Sequence, residues 1–130
     1  KKLIFLIVGS AKEEMEYFDQ VVKNVSKEYV INIMGKSLTL TYACLSLCRL
    51  FIGNDSGLMH LSAASGISTI GLFGPTRDDW YRPYGKNCYV IRTKESFSEL
   101  RSNLNNLTIS SMISISVKDL IKLIESKNII

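Results

Sequence analysis

The chain has 130 residues, 46% of them hydrophobic and 22% charged, a globular composition that excludes a disordered or low-complexity protein. Lys and Arg number 16 against 12 Asp and Glu; the net charge of +4 suits an anionic ligand, and without a stripe of interleaved basic and aromatic residues it argues against a nucleic-acid partner. The longest apolar run, Leu3–Val8, is far short of the roughly 18 residues a membrane-spanning helix needs, and no stretch reads as a secretory signal.

Leu3–Val8 has no alternation, the pattern of a strand buried on both faces of a parallel sheet. Gly9-Ser10 closes it. Met15, Phe18, Val22 and Val25 then fall at helical spacing over 11–25, with Glu13, Glu14 and Glu16 placed favourably in the first turns. Val30–Met34 reads as a strand ended by Gly35, and Ser37 as the cap of a helix over 38–48. The strand Leu50–Ile52 runs through the corner Gly53–Gly57 into a helix over 58–65, which Gly66 ends. Ser68–Phe73 is a strand leaving through Gly74-Pro75-Thr76, residues 77–87 form a charged, aromatic loop, and Cys88–Arg92 is a last strand. Residues 94–114 have no clear pattern beyond a weak helix near 95–104. Ser116 with Asp119 opens a final helix over 117–126.

Strands alternating with helices predict an α/β fold: a Rossmann-like parallel sheet with helices on both faces, in a single domain over 1–130. In such sheets ligands bind at the rim where the strands exit. The rim loops here are 9–13, 35–37, 53–57 and 74–76.

The sharpest chemical signal is Asp55-Ser56-Gly57, where a helix starts. The N–H groups of Ser56, Gly57 and Leu58 would face an anion, although Asp55 or Ser56 also reads as a plain helix cap. His60, the only histidine, follows Gly57 by three residues and faces roughly the same way. Glu13 stands where a carboxylate would accept from ribose hydroxyls, and equally where it would complement a helix dipole. Arg77 and Arg82 lie beside the rim, within reach of phosphate or acceptor or simply as solvated loop charges, and Trp80 and Tyr81 read as stacking on a ligand ring or covering the core. Residues 9–13 make neither a dinucleotide fingerprint nor a P-loop. Cys44, Cys48 and Cys88 are odd in number and lack framework spacing, which points to small buried residues, a reducing cytoplasmic compartment and no metal site.

Together, Gly53–Ala64, Gly71–Thr76, Pro83 with Gly85, Gly35–Leu38 and Gly9–Glu14 resemble glycosyltransferase family 9, the heptosyltransferases of lipopolysaccharide core assembly. The resemblance covers roughly residues 3–92. It implies the C-terminal half of a GT-B enzyme, whose N-terminal acceptor domain, with the general base, is absent from this chain. It further implies an inverting, metal-independent transfer with no cofactor. The donor would be a nucleotide sugar, ADP-heptose above all, and the acceptor the lipopolysaccharide core. Peripheral association with the cytoplasmic face of the inner membrane fits that role. By carry-over Asp55, Ser56, Gly57, Leu58 and His60 would hold the sugar diphosphate, with His60 steadying the leaving group. Glu13 would take the ribose, Lys36 and Ser37 would line the base, and Gly74 with Thr76 would complete the substrate site. Lys36 departs from the family's usual Thr or Met, and Ser62 and Ser65 from its usual alanines, changes expected to affect base preference and packing respectively. Two other readings compete: another sugar-nucleotide enzyme, a hexosyltransferase or an epimerase, and a non-catalytic nucleotide-binding domain.

Overall fold

Ser68–Phe73 forms the middle strand of a three-stranded parallel sheet, flanked by Leu50–Asn54 and Cys88–Arg92. The structure is a computed structural model that describes residues 2–10, 15–103 and 111–130. Its elements are β1 (Phe5–Ile7), α1 (Met15–Val22), β2 (Val30–Asn32), α2 (Leu38–Leu45), β3 (Leu50–Asn54), α3 (Gly57–Ala64), β4 (Ser68–Phe73), α4 (Asp78–Tyr81), β5 (Cys88–Arg92), α5 (Phe97–Asn103) and α6 (Val117–Ser126), with 3-10 turns at Lys27–Tyr29 and Ser111–Ser114. They divide into two units, Lys1–Cys44 and Leu45–Ile130.

In the second unit, β-strand alternation sends Thr69, Gly71 and Phe73 to one face of β4. Phe51 and Gly53 stand beside them on β3, and Cys88, Val90 and Arg92 on β5. Helix α3 covers this face. Met59 seats on the bare backbone of Gly71, where a Cβ would come within 2.5 Å of its sulfur and 2.8 Å of the Phe73 ring. Met59 and Phe73 are fully buried, and each such side chain contributes about 1.5–3 kcal/mol by leaving water. Ser62 and Thr69 are fully buried as well and are bonded to each other, so the helix is fastened by a polar contact inside an apolar interface. The expectation that Ser62 alters only packing therefore needs amending. Ser65 merely returns a bond of 2.7 Å to the Ser62 carbonyl.

Two helices start on reciprocal side-chain caps. Ser116 Oγ accepts from Asp119 N at 3.1 Å and donates to its carboxylate at 2.7 Å, as the sequence suggests. Ahead of α5, Glu99 accepts from both Ser96 N and Ser96 Oγ at 2.7 Å, bonds that hold its carboxyl below the ordinary range. Serine followed three residues later by glutamate is readable in the sequence but sits in the stretch whose pattern is least clear.

In the first unit, β1 and β2 pair in parallel from Phe5↔Val30 to Ile7↔Asn32. The Ile33 N and Gly35 N bonds to Ile7 O and Gly9 O extend the contact. Gly35 adopts φ 71, a left-handed turn that glycine enters without penalty. Ser37 starts α2, accepting from Leu40 N at 3.3 Å.

Several expectations are corrected. The strand expected over Leu3–Val8 is only Phe5–Ile7, and Leu3, Ile4 and Phe5 are exposed where burial was expected. Parallel strands with flanking helices bear out the expected α/β class, with a two-stranded ladder in the first unit and a three-stranded one in the second. The segment expected as loop contains α4, whereas the weak helix expected near 95–104 is present as α5, and a 3-10 turn at Ser111–Ser114 follows. Among the described residues no helix is long and apolar enough to cross a membrane.

Candidate functional site

Because β3, β4 and β5 are parallel, their exits line one edge, with Asn54 level with Leu72 and Phe73 level with Arg92. From β3 the chain turns through Asp55 and Ser56 into α3. Ser56 is extended, at φ −160 and ψ 167, and caps the helix by accepting from Met59 N at 3.4 Å. Its carbonyl accepts from Met59 N at 3.1 Å and His60 N at 3.4 Å. The preceding first-turn N–H groups have no partner within a helix. No acidic side chain lies inside that turn to offset the positive helix end.

Gly57 begins α3 and is exposed, and a Cβ built on it meets nothing within 4 Å. It is also absent from the glycines with positive φ. Neither crowding nor backbone conformation within the protein calls for glycine here. Asp55 is half-buried and His60 exposed, and among the described residues neither side chain has a charged partner. The structure thus brings Asp55, Ser56, Gly57, Leu58 and His60 to one helix start.

The exit of β4 is the neighbouring wall. Gly74 is buried, and its missing side chain makes room for Met112, whose sulfur would lie 2.7 Å from a Cβ. Packing alone accounts for this glycine. Arg92, at the end of β5, reaches across. It donates to Gly74 O at 2.6 Å and Thr76 O at 3.1 Å, and pairs with Asp78. Sequence reasoning missed Arg92, since its partners lie 14 to 18 residues away and no local signal marks them.

Arg77, which precedes α4, bonds Asp79 through Nε at 3.0 Å and stacks 3.9 Å above the Trp80 ring. That pairing raises the Arg77 guanidinium above its ordinary range and lowers the Asp79 carboxyl below its own. The guanidinium is engaged inside its own loop. Trp80 and Tyr81 make an edge contact at 6.4 Å and are both exposed, so they do not cover the core. Burial pushes the Cys88 thiol up, opposed by the nearby Arg82, and no disulfide forms among the described residues. Lys36 and Ser37 lie in the other unit, exposed, at the turn between β2 and α2. Glu13 falls outside the described residues.

The profile described as Glycosyltransferase family 9 (heptosyltransferase) matches residues 2–108. The chain belongs to glycosyltransferase family 9. Among curated relatives, lipooligosaccharide heptosyltransferase 2 of Haemophilus influenzae is 34% identical over 92 residues, 68% of this chain and 27% of that protein. The chain therefore spans little more than a quarter of that relative. Among solved structures, a family 9 glycosyl transferase from Veillonella parvula superposes with a TM-score of 0.79 at 27% identity, covering 95% of this chain and 36% of that one. The E. coli heptosyltransferase WaaC with ADP gives a TM-score of 0.74 at 23% identity, covering 95% of this chain and 33% of its own, a likeness of fold. Parallel strands with flanking helices are thus the family 9 architecture.

Proposed function

We propose that the α3 start, with the neighbouring Gly74–Thr76 loop, is the donor site of an inverting heptosyltransferase and binds the diphosphate of an ADP-sugar. The observation that carries this reading is Gly57. It is a glycine at a helix start, exposed and unobstructed, which neither fold geometry nor packing requires. Glycine there costs helix stability, and the missing side chain leaves backbone N–H groups open to close approach by an anion. Family membership supports the reading, as do the lipooligosaccharide heptosyltransferase relative and the ADP of the WaaC structure.

In the proposed reaction the acceptor oxygen forms a bond to the sugar's anomeric carbon from the face opposite the diphosphate, the bond from that carbon to the diphosphate oxygen breaks, and its electron pair stays on that oxygen. The N–H groups of Gly57 and Leu58 and the helix dipole meet the growing negative charge, and His60 adds a donor. Each well-placed donor of this kind is worth roughly two to three orders of magnitude in rate. Ser56 contributes mainly by capping the helix. Asp55 orients the turn or the sugar, and Thr76 closes the other wall. Lys36 and Ser37 are assigned to the base and Glu13 to the ribose. Deprotonation of the acceptor hydroxyl is assigned to an acceptor-binding domain of the family. The acceptor would be the lipopolysaccharide core, at the cytoplasmic face of the inner membrane. No metal ion takes part in the proposed chemistry.

Calorimetric titration of the chain with ADP, UDP and GDP tests it. The reading expects ADP to bind, and Asp55→Ala and His60→Ala each to weaken it. A strong preference for UDP would favour another class of sugar-nucleotide enzyme.

A further inference from the structure

The ladder between β4 and β5 ends at Phe73↔Arg92, followed by one more bond from Thr93 N to Phe73 O at 2.9 Å. Beyond it the Gly74-Pro75-Thr76 loop has no strand beside it to fix its path. Pro75 supplies no N–H. Arg92 takes over where the ladder stops. One guanidinium nitrogen donates to Gly74 O at 2.6 Å, and another donates to Thr76 O at 3.1 Å and pairs with Asp78 just beyond. The side chain is 20% exposed, so these bonds are largely shielded from water. Met112 and Ser111 close on the Gly74 Cα from another direction, 2.7 and 3.3 Å from a built Cβ. The guanidinium is the planar, multidonor group that this job needs. An ammonium on a flexible stem carries the same charge but cannot span two carbonyls and a carboxylate in one fixed fork.

We propose that Arg92 is a positioning residue of the donor site, holding the Gly74–Thr76 wall at the height that a nucleotide diphosphate on α3 requires. The inference rests on the donor-site reading above. Asp78 acts through Arg92 by anchoring its guanidinium, so the two form one unit. Arg92 itself need touch no substrate atom.

The test titrates ADP into the 130-residue chain as wild type, Arg92→Lys, Asp78→Asn and the double variant. Thermal melting and hydrogen exchange of the 74–78 amides are measured on each. Arg92→Lys keeps the charge and so protects folding. The expected result is an ADP affinity roughly tenfold weaker in Arg92→Lys, with a loss in Asp78→Asn, and a double variant no weaker than Arg92→Lys. Faster exchange should be confined to 74–78, with melting nearly unchanged. Unchanged ADP affinity in Arg92→Lys overturns the proposal. So does additivity of the two substitutions, or a loss of affinity that simply tracks a fall in melting temperature. If the wild-type chain itself takes up no ADP, the donor-site reading fails and this one falls with it. Wild-type binding with an indifferent Arg92 sinks only the positioning role.

Discussion

Ser62 Oγ lies 3.0 Å from Thr69 Oγ1 with both residues fully buried, and this contact ties the helix that carries His60 to the central strand of the sheet. Ser62 Oγ also lies 2.8 Å from Met59 O and Thr69 Oγ1 3.3 Å from Ile67 O, so each hydroxyl has a backbone acceptor besides the other and either can donate across the pair. Thr69→Val would remove one hydroxyl of the pair while keeping the side chain's shape. It should cost about 1 kcal/mol, the usual net value of a buried hydrogen bond. In urea unfolding, Ser62→Ala combined with Thr69→Val should cost less than the sum of the single changes, because both break the same contact. Full additivity would show that the hydroxyls do not work as a pair.

Two glycines of the second unit should respond oppositely to alanine. Gly71→Ala drives a methyl into Met59 and Phe73, 2.5 and 2.8 Å away, and should destabilise by about 1–3 kcal/mol. Gly57→Ala meets open space and should leave stability unchanged or raise it by about 0.5 kcal/mol. The same change should weaken ADP, since its methyl would intrude where the diphosphate is proposed to sit. Urea melts and calorimetry on the two variants check this crossing pattern. A Gly57→Ala chain that binds ADP as well as wild type would remove the main support for the site.

The Ser96–Glu99 cap predicts an acid-sensitive element. Hydrogen bonds from Ser96 lower the Glu99 carboxyl in the folded chain, so its stabilising effect is complete above the ordinary glutamate range. It is lost as pH falls through the lowered folded value. Stability followed from neutral to acid pH should therefore decline less steeply in Glu99→Gln than in wild type. An identical acid limb in the two proteins would mean that the cap does not persist in solution.

Excess chelator should leave ADP affinity unchanged, because the proposed site uses backbone donors and His60 and assigns nothing to a metal. A loss of binding in chelator that added magnesium restores would replace this picture with a metal-bridged diphosphate.

The corner at 53–64 could be read from sequence because the whole signal is local: an apolar run, a polar turn with Ser and Gly, and helical spacing follow within fifteen residues. Ser68–Phe73, Cys88–Arg92 and the capped helix after Ser116 were legible for the same reason, and their bounds match the expectation. What escaped is non-local or too short to show a period. Helix α4 has 4 residues, barely more than one turn, and was hidden in a loop of charges and aromatics. The Arg92 clamp depends on parallel register, which sets β5 beside the exit of β4 and leaves no mark near residue 92. Ser62 looked like a minor packing change because its partner Thr69 lies on a different element. The exposure of Leu3, Ile4 and Phe5 departs from their apolar pattern, since composition shows what favours burial but not which elements are present to cover it.

The most direct test of the donor-site account is calorimetric titration of the wild-type chain with ADP, repeated on His60→Ala and Asp55→Ala. The account predicts saturable binding by wild type and a loss of roughly tenfold or less in each variant, the scale of one charge-assisted hydrogen bond at an exposed site. Absence of ADP binding by the wild-type chain, or affinity indifferent to both substitutions, would contradict it.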